Sequence, residues 1–122
     1  MPATGFDNDA ITLRGVLSHT AGLSVPGYLG FGPQQKPHSI EASLQMAADA
    51  DHQAVRVIYR PGRSFHYSGG GYTVAQLMVE DVTGSSFARF AQSAVLVPLR
   101  MTESSFLQNV PHAVSYDAHG KR

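Results

Sequence analysis

The 122-residue chain contains no cysteine, so its residues can form no disulfide, thiol nucleophile or thiolate metal site. Charge is scarce too, because Asp, Glu, Lys and Arg make up only 15% of the chain and cancel to a formal net charge of +0. A balanced chain lacks the basic excess of proteins that bind duplex nucleic acid or acidic membranes. We therefore expect no nucleic-acid and no membrane partner. A sparsely charged surface also favours self-association, so a homo-oligomer is expected.

Long apolar runs are missing as well, since none approaches the roughly 20 residues that cross a membrane. The N-terminal stretch MPATGFDNDAITL has no basic region followed by an apolar one. We therefore predict no signal peptide in this chain, which leaves the compartment open. Length and an apolar fraction of 43% fit one globular domain.

Several motifs of catalysis and metal binding are absent. The sequence has no GxSxG, no KTG and no SxxK, because the only lysines, Lys36 and Lys121, follow Pro33 and Ala118 by three places. Six histidines are present, but none forms HExxH and no two are spaced i, i+4. They are His19, His38, His52, His66, His112 and His119. We predict scattered histidines, no metal site and no cofactor.

The run Ser68-Gly69-Gly70-Gly71 precedes a helical pattern and allows two interpretations. Its N–H groups are of the kind that cradle an anion at a helix start. The run lacks the lysine of a P-loop, however, and glycines also let a chain turn tightly into a helix.

Apolar spacing predicts four helices. The first runs from an N-cap at Thr12 through Ser18, with Leu13, Val16 and Leu17 on one face and Gly22 as its stop. The second is capped by Ser39 and has its apolar residues at Ile40, Leu44, Ala47 and Ala48.

The third predicted helix spans about Gly71 to Val82, with Val74, Leu77, Met78 and Val82 supplying its i, i+3, i+4 pattern and Thr83-Gly84 at its end. The fourth starts after Ser85, turns Phe87, Phe90, Ala91, Ala94 and Val95 inward and closes at Pro98.

Three stretches fall outside this helical pattern. The Gly- and Pro-rich segment from Gly22 to Pro37 predicts a long irregular loop. The segment Val55 to Tyr59 is a short strand or an extended connection, and the tail from Asn109 to Arg122 is expected to fray unless something packs on it. The fold class is mainly α, with room for one short strand pair.

Three segments, in order, resemble the serine β-lactamase and penicillin-binding-protein superfamily, in the group of class C β-lactamases, DD-peptidases and esterases. The first, ITLRGVLSHTAGL (Ile11 to Leu23), is similar to the family's helix followed by S-H-T-A/S-G-L. The second, PGRSFHYSGGGYTVAQLMVEDVTGSSF (Pro61 to Phe87), resembles its Tyr-Ser-Asn, Gly-Tyr, helix and VTG run. The third, VLVPLRMTESSF (Val95 to Phe106), resembles its PLGM segment, with Arg100 in place of the glycine.

This resemblance implies that residues 1–122 form a single, incomplete region of the β-lactamase/DD-peptidase-like α+β fold, namely its helical part. It implies a catalytic role for Tyr67, whose phenol would move protons with the SxxK lysine, and substrate binding at Ser68 and Gly69. Gly69 stands where the family has the asparagine of Tyr-x-Asn, which puts amide recognition in doubt and favours an ester substrate. Relatives are often periplasmic or secreted, and esterases of the group are also cytoplasmic.

Two functions follow from the resemblance. The first is a β-lactamase-related serine hydrolase with an acyl-enzyme mechanism, here a partial chain with little activity alone. Its partner would be a small-molecule ester or amide once the missing parts are supplied. The alternative is a non-catalytic helical module, derived from that fold, for binding or oligomerisation. The absence of SxxK leaves open whether this chain is an enzyme.

Overall fold

The computed structural model describes residues 8–28, 36, 38–45, 54–107 and 119–120. Two compact units make up the chain, Met1–Gly84 and Ser85–Arg122. The first contains a 3₁₀ turn at Asn8–Ala10 and the helices α1 (Leu13–Leu17), α2 (Ile40–Gln45) and α3 (Gly69–Thr83). The second contains α4 (Phe87–Ala91), which continues into a π-helical turn at Gln92–Leu96. The mainly α fold class is confirmed, whereas the expectation of a single incomplete region stays a prediction.

Helix α1 begins as predicted and ends earlier than predicted. The Thr12 hydroxyl accepts a hydrogen bond from the Gly15 N–H at 3.1 Å, which confirms the N-cap. The helix stops at Leu17 because His19 adopts a left-handed backbone with φ 57°. The stop predicted at Gly22 was therefore placed too late.

Gly22 lies where two backbone segments approach each other closely. Its φ is 71°, and its carbonyl oxygen accepts hydrogen bonds from the N–H groups of Ile58 and Tyr59 at 2.9 and 3.1 Å. A Cβ atom at Gly22 would collide with the Tyr59 carbonyl oxygen. Only glycine satisfies both the conformation and the contact.

The core of the first unit is small. Val16, Ala21 and Leu23 are buried, and Ile11, Val55, Val57 and Ala75 pack against them. Helices α1 and α2 both pack on α3. Leu13 and Leu17, which helical spacing places on one face with Val16, are 44% and 46% exposed. Of these three residues only Val16 is buried in this core.

Residues 54–59 form an extended connection rather than a strand. Leu23 and Val57 make one isolated antiparallel bridge, and no further bridge occurs among the described residues. The Ser24 N–H donates to the Arg56 carbonyl at 2.8 Å, and the Ser24 hydroxyl accepts from the Arg56 N–H at 2.8 Å. A side-chain hydroxyl thus replaces a ladder bond and ends the pairing.

Helix α2 has the predicted cap, since the Ser39 hydroxyl accepts from the Ala42 N–H at 3.2 Å. A hydrogen bond from its own backbone and one from the Ser39 hydroxyl lower the pKa of the exposed Glu41 carboxyl below its ordinary value. Ala47 and Ala48, His52 and His112, the loop residues 29–35 and 37, and all of the tail except 119–120 lie outside the described residues. The predictions made for them remain predictions.

Helix α3 starts two residues before the predicted Gly71 and ends as predicted. Gly84 closes it with φ 64°, and its N–H donates to the Glu80 carbonyl at 2.8 Å. Val82, the last residue of the predicted apolar pattern, is 80% exposed. No helix within the described ranges combines the length and apolar character needed to cross a bilayer.

The second unit departs from the single helix predicted after Ser85. After Ala91 the helix widens to the π form, which shifts the register of every following side chain. Ala91 and Leu96 are consequently the buried residues, while Ala94 is exposed and Val95 is 44% exposed. The inward orientation predicted for Ala94 and Val95 is wrong for this reason.

Candidate active-site tyrosine

Tyr67 lies in the extended segment that leads into α3, and its side chain is 60% exposed. Its ring packs on the imidazole of His19 with 4.4 Å between the ring centroids and 38° between the planes. Tyr72 and Phe65 also contact that imidazole, at centroid distances of 5.2 and 5.5 Å. We call His19, Phe65, Tyr67 and Tyr72 the aromatic cluster.

The backbone around Tyr67 is fixed from both sides. The His66 N–H donates to the His19 carbonyl at 2.8 Å, and the Ser68 N–H donates to Nδ1 of His19 at 3.2 Å. The Tyr72 hydroxyl donates to the Leu17 carbonyl at 3.0 Å, which ties α3 to the end of α1. None of the residues that the structure describes hydrogen-bonds the Tyr67 phenol oxygen, so that oxygen is open to a reacting group.

Ser68 has a buried hydroxyl that serves the fold. Its Oγ accepts from the Gly71 N–H at 3.0 Å, which makes Ser68 the N-cap of α3, and it donates to the Ser24 carbonyl. The side chain is only 3% exposed. Substrate binding at Ser68 and Gly69 stays a prediction, and for Ser68 these bonds account for the hydroxyl without a substrate.

The three glycines after Ser68 turn the chain tightly and leave no anion cradle. The Gly69 and Gly70 N–H groups donate to the carbonyls of Pro26 and Val25 at 3.1 and 3.0 Å, and the Gly71 N–H donates to Ser68. A Cβ atom at Gly69 would lie 2.9 Å from the Pro26 carbonyl oxygen. The family asparagine therefore has no room at this position with the 25–27 segment as it stands.

His66 points away from the aromatic cluster, as expected for the neighbour of Tyr67 in an extended segment. Its ring stacks on Tyr59 with a centroid distance of 3.7 Å and an angle of 10°, and its Nε2 lies 2.9 Å from the Ser64 hydroxyl. Within the described residues no three His, Cys, Asp or Glu side chains lie close enough together to hold a metal ion.

The sequence analysis singled out Tyr67 from the resemblance and did not single out His19, which lies against it. It treated His19 as one of six scattered histidines, although its contacts reach Phe65, His66, Tyr67, Ser68 and Tyr72. The available signal was its place in SHTAGL, one of the three segments on which the resemblance rests.

Comparison with known proteins identifies the family of this chain. The model of the β-lactamase family matches residues 2–121. The chain belongs to the β-lactamase family. Penicillin-binding protein 4* of Bacillus subtilis (strain 168) is 26% identical over 119 residues, which cover 95% of this chain and 26% of that protein. The protein flp of Staphylococcus aureus (strain NCTC 8325 / PS 47) is also 26% identical over 119 residues, covering 93% and 22% respectively.

This β-lactamase-family chain thus spans about a quarter of the length of the curated relatives it matches. The resemblance to the superfamily is confirmed. Membership gives the family, and hydrolase activity and substrate belong to the proposal that follows.

Proposed function

We propose that this chain supplies the proton-transferring tyrosine of a serine hydrolase that acts on a small-molecule ester or amide through an acyl-enzyme. The observation that carries the proposal is Tyr67. Its ring is held by His19, the backbone on either side is hydrogen-bonded, and the phenol oxygen is free among the described residues. A fixed side chain with an open polar atom suits a group that exchanges protons with a substrate.

In the proposed reaction a serine hydroxyl attacks the substrate carbonyl carbon. As its proton passes to the Tyr67 oxygen, the phenol gives its own proton to the neutral amine of the SxxK lysine. The lysine then returns a proton to the Tyr67 oxygen, and the phenol proton passes to the leaving group as the carbonyl–leaving-group bond breaks. Water then hydrolyses the acyl-serine. The sequence contains neither SxxK nor KTG, so the nucleophile and the lysine must come from residues outside these 122. Alone, the chain should therefore show little turnover.

Gly69 favours an ester over an amide as the substrate. The family's asparagine side chain, which helps to bind the substrate amide, is absent here, and the Pro26 carbonyl fills the space next to Gly69. An ester lacks the amide N–H and loses less when that side chain is missing.

The test begins with the gene on both sides of this reading frame. We expect an in-frame SxxK upstream and a KTG or related motif downstream. In the protein so encoded, Y67F should lower kcat/KM for a chromogenic ester by roughly 10²- to 10⁴-fold, because a general acid–base group is lost. The control is Y116F, which lies outside the three family-like segments and should keep the parent's kcat/KM.

Two results would overturn the proposal. One is a reading frame with no SxxK in any adjoining sequence, and the other is Y67F at the parent's rate. The 122-residue chain alone should show no burst with nitrocefin or the ester and no labelling by an active-site serine probe.

The second candidate function is a non-catalytic module that binds a partner or self-associates. Exposed large apolar side chains favour it, among them Val82 at 80% and Leu99 at 66%. Surface of this kind commonly marks an interaction site. The oligomeric state of the chain tests it, as developed in the Discussion.

A further inference from the structure

We infer that His19 is the positioning residue of Tyr67, and that it acts as a neutral imidazole whose Nδ1 accepts a hydrogen bond from the loop that carries the phenol. This inference rests on the proposed proton-transfer role of Tyr67. His19 is not itself a catalytic residue, because its contacts run to the loop and not to the open phenol oxygen.

Three consecutive residues of the loop meet His19 through three different groups. The His66 N–H binds its carbonyl oxygen at 2.8 Å, the Tyr67 ring packs on its imidazole at 4.4 Å, and the Ser68 N–H binds its Nδ1 at 3.2 Å. His66, Tyr67 and Ser68 thus each contact His19, through its carbonyl oxygen, its ring and its Nδ1 atom respectively. No other described residue is shown to contact all three.

The Ser68 contact fixes the protonation of the imidazole. A backbone N–H can only donate, so Nδ1 must present its lone pair, and the single ring proton of the neutral imidazole must be on Nε2. The opposite tautomer would aim an N–H at the Ser68 N–H. The structure therefore assigns an Nε2–H tautomer to His19.

The backbone conformation of His19 allows its carbonyl and its ring to contact the same loop. Its φ of 57° ends α1 and lies in the left-handed region, where His and Asn occur more often than most residues. The side chain is half-buried, with Tyr72 and Phe65 against the ring at 5.2 and 5.5 Å. A ring enclosed in this way holds one orientation.

Positioning at this level matters for proton transfer. A displacement of about 1 Å in a reacting group can cost roughly 10²-fold in rate. Because Tyr67 is otherwise largely exposed, loss of the His19 contacts would leave its phenol free to sample rotamers that miss the substrate.

The test uses a matched pair of variants, H19G and H19N, in the 122-residue chain. Glycine and asparagine both accept a positive φ, but only asparagine keeps an acceptor where Nδ1 stands. Amide hydrogen exchange at Ser68, measured by NMR, should quicken roughly 3- to 10-fold in H19G and stay close to the parent in H19N. Exchange at Leu77, inside α3, reports global stability and normalises the comparison.

The control is H66A, which removes the ring on the opposite side of the loop and should leave Ser68 exchange unchanged. Nitrogen chemical shifts of the parent provide a second readout that needs no variant to fold. They should show His19 Nδ1 unprotonated and Nε2 protonated.

Equal Ser68 exchange in H19G and H19N, or a proton on Nδ1 of neutral His19, would overturn the inference. These readouts need no substrate, so they are independent of the Y67F result that tests the proposed function. In the catalytically complete protein, H19G should lower kcat with KM little changed, and H19N, which keeps the acceptor but not the ring, should lower kcat less than H19G does.

Discussion

Among the residues that the structure describes, left-handed backbone occurs at three that carry side chains, His19, Val25 and Arg100, with φ of 57°, 62° and 57°. Such a conformation costs about 1–2 kcal/mol for a residue with a Cβ atom. At His19 and Val25 the strain is offset, because the carbonyls of these residues accept hydrogen bonds from His66 and Gly70. Both positions thereby shape the surroundings of Tyr67.

Arg100 is exposed and closes the helical turn before it, since its N–H donates to the Val97 carbonyl at 3.0 Å and the Met101 N–H donates to the Leu96 carbonyl at 2.9 Å. The left-handed position of such a closure is usually glycine, which adopts it without strain. Arg100 stands where the superfamily has the glycine of PLGM. We expect R100G to stabilise the chain by about 0.5 kcal/mol, the relief of left-handed strain less the chain entropy of glycine. Thermal unfolding of the two proteins measures the difference.

The matched control is R63G, which removes the same side chain from an exposed turn residue without positive φ. Glycine there adds only unfolded-state entropy, so R63G should be neutral or destabilising by up to about 1 kcal/mol. A lower melting temperature for R100G than for R63G would contradict the strain argument.

Among the elements, α3 follows Tyr67 directly and carries Tyr72, and its start depends on contacts that local sequence does not predict. Three successive glycines are poor helix formers, which is why the sequence predicted a start at Gly71. The helix nevertheless begins at Gly69, because carbonyls of Pro26 and Val25 accept from the first two glycine N–H groups. These partners lie more than forty residues earlier in the chain, outside any local window.

Ser68 is the second support of this helix start, and S68A should be costly. The change removes the cap on the Gly71 N–H and the bond to the Ser24 carbonyl in a buried place. We expect a loss of about 2 kcal/mol in the free energy of unfolding, measured by urea titration.

S39A provides the comparison, because it removes the exposed cap of the six-residue α2. Its cost should be about 0.5 kcal/mol, the low end for caps. Equal losses for the two variants would mean that the buried bonds of Ser68 add nothing beyond ordinary capping.

The second unit contains another feature that local sequence patterns do not predict. Ser85, Phe87 and Pro98 predicted the position of a helix correctly, yet the helix changes to the π form at Gln92. One extra residue in a turn moves burial from Val95 to Leu96. Periodicity assumes 3.6 residues per turn throughout, so an inserted residue escapes it.

For the whole molecule, the sequence predicted what depends on local patterns and on motif order. The mainly α class, the caps at Thr12 and Ser39, the end of α3 at Gly84 and the family were all predicted correctly. The contacts of His19 were not predicted, and the choice between an anion cradle and a tight turn at the glycine run stayed open, since both depend on contacts between residues 19–26 and 65–71. Packing brings those two segments together, and the local sequence of neither segment predicts the contact.

Uncovered apolar surface is the feature of the whole molecule that most bears on its state in solution. Val82 on α3 is 80% exposed and Leu99 in the second unit is 66% exposed, on a chain whose formal net charge is +0. Apolar exposure with no net repulsion favours association. We therefore expect a mass above the 13.1 kDa of one chain in light scattering behind size-exclusion chromatography, rising with concentration.

A charge introduced at either Val82 or Leu99 should reverse the association. V82E and L99E should each shift the protein towards the monomer, because a carboxylate resists burial in an apolar contact. T102E is the matched control, as it adds the same charge at an exposed polar residue close to Leu99 in sequence. If T102E dissociates the protein as well as L99E does, net charge alone governs association. A parent that is monomeric at every concentration would refute self-association and leave partner binding as the remaining form of the non-catalytic alternative.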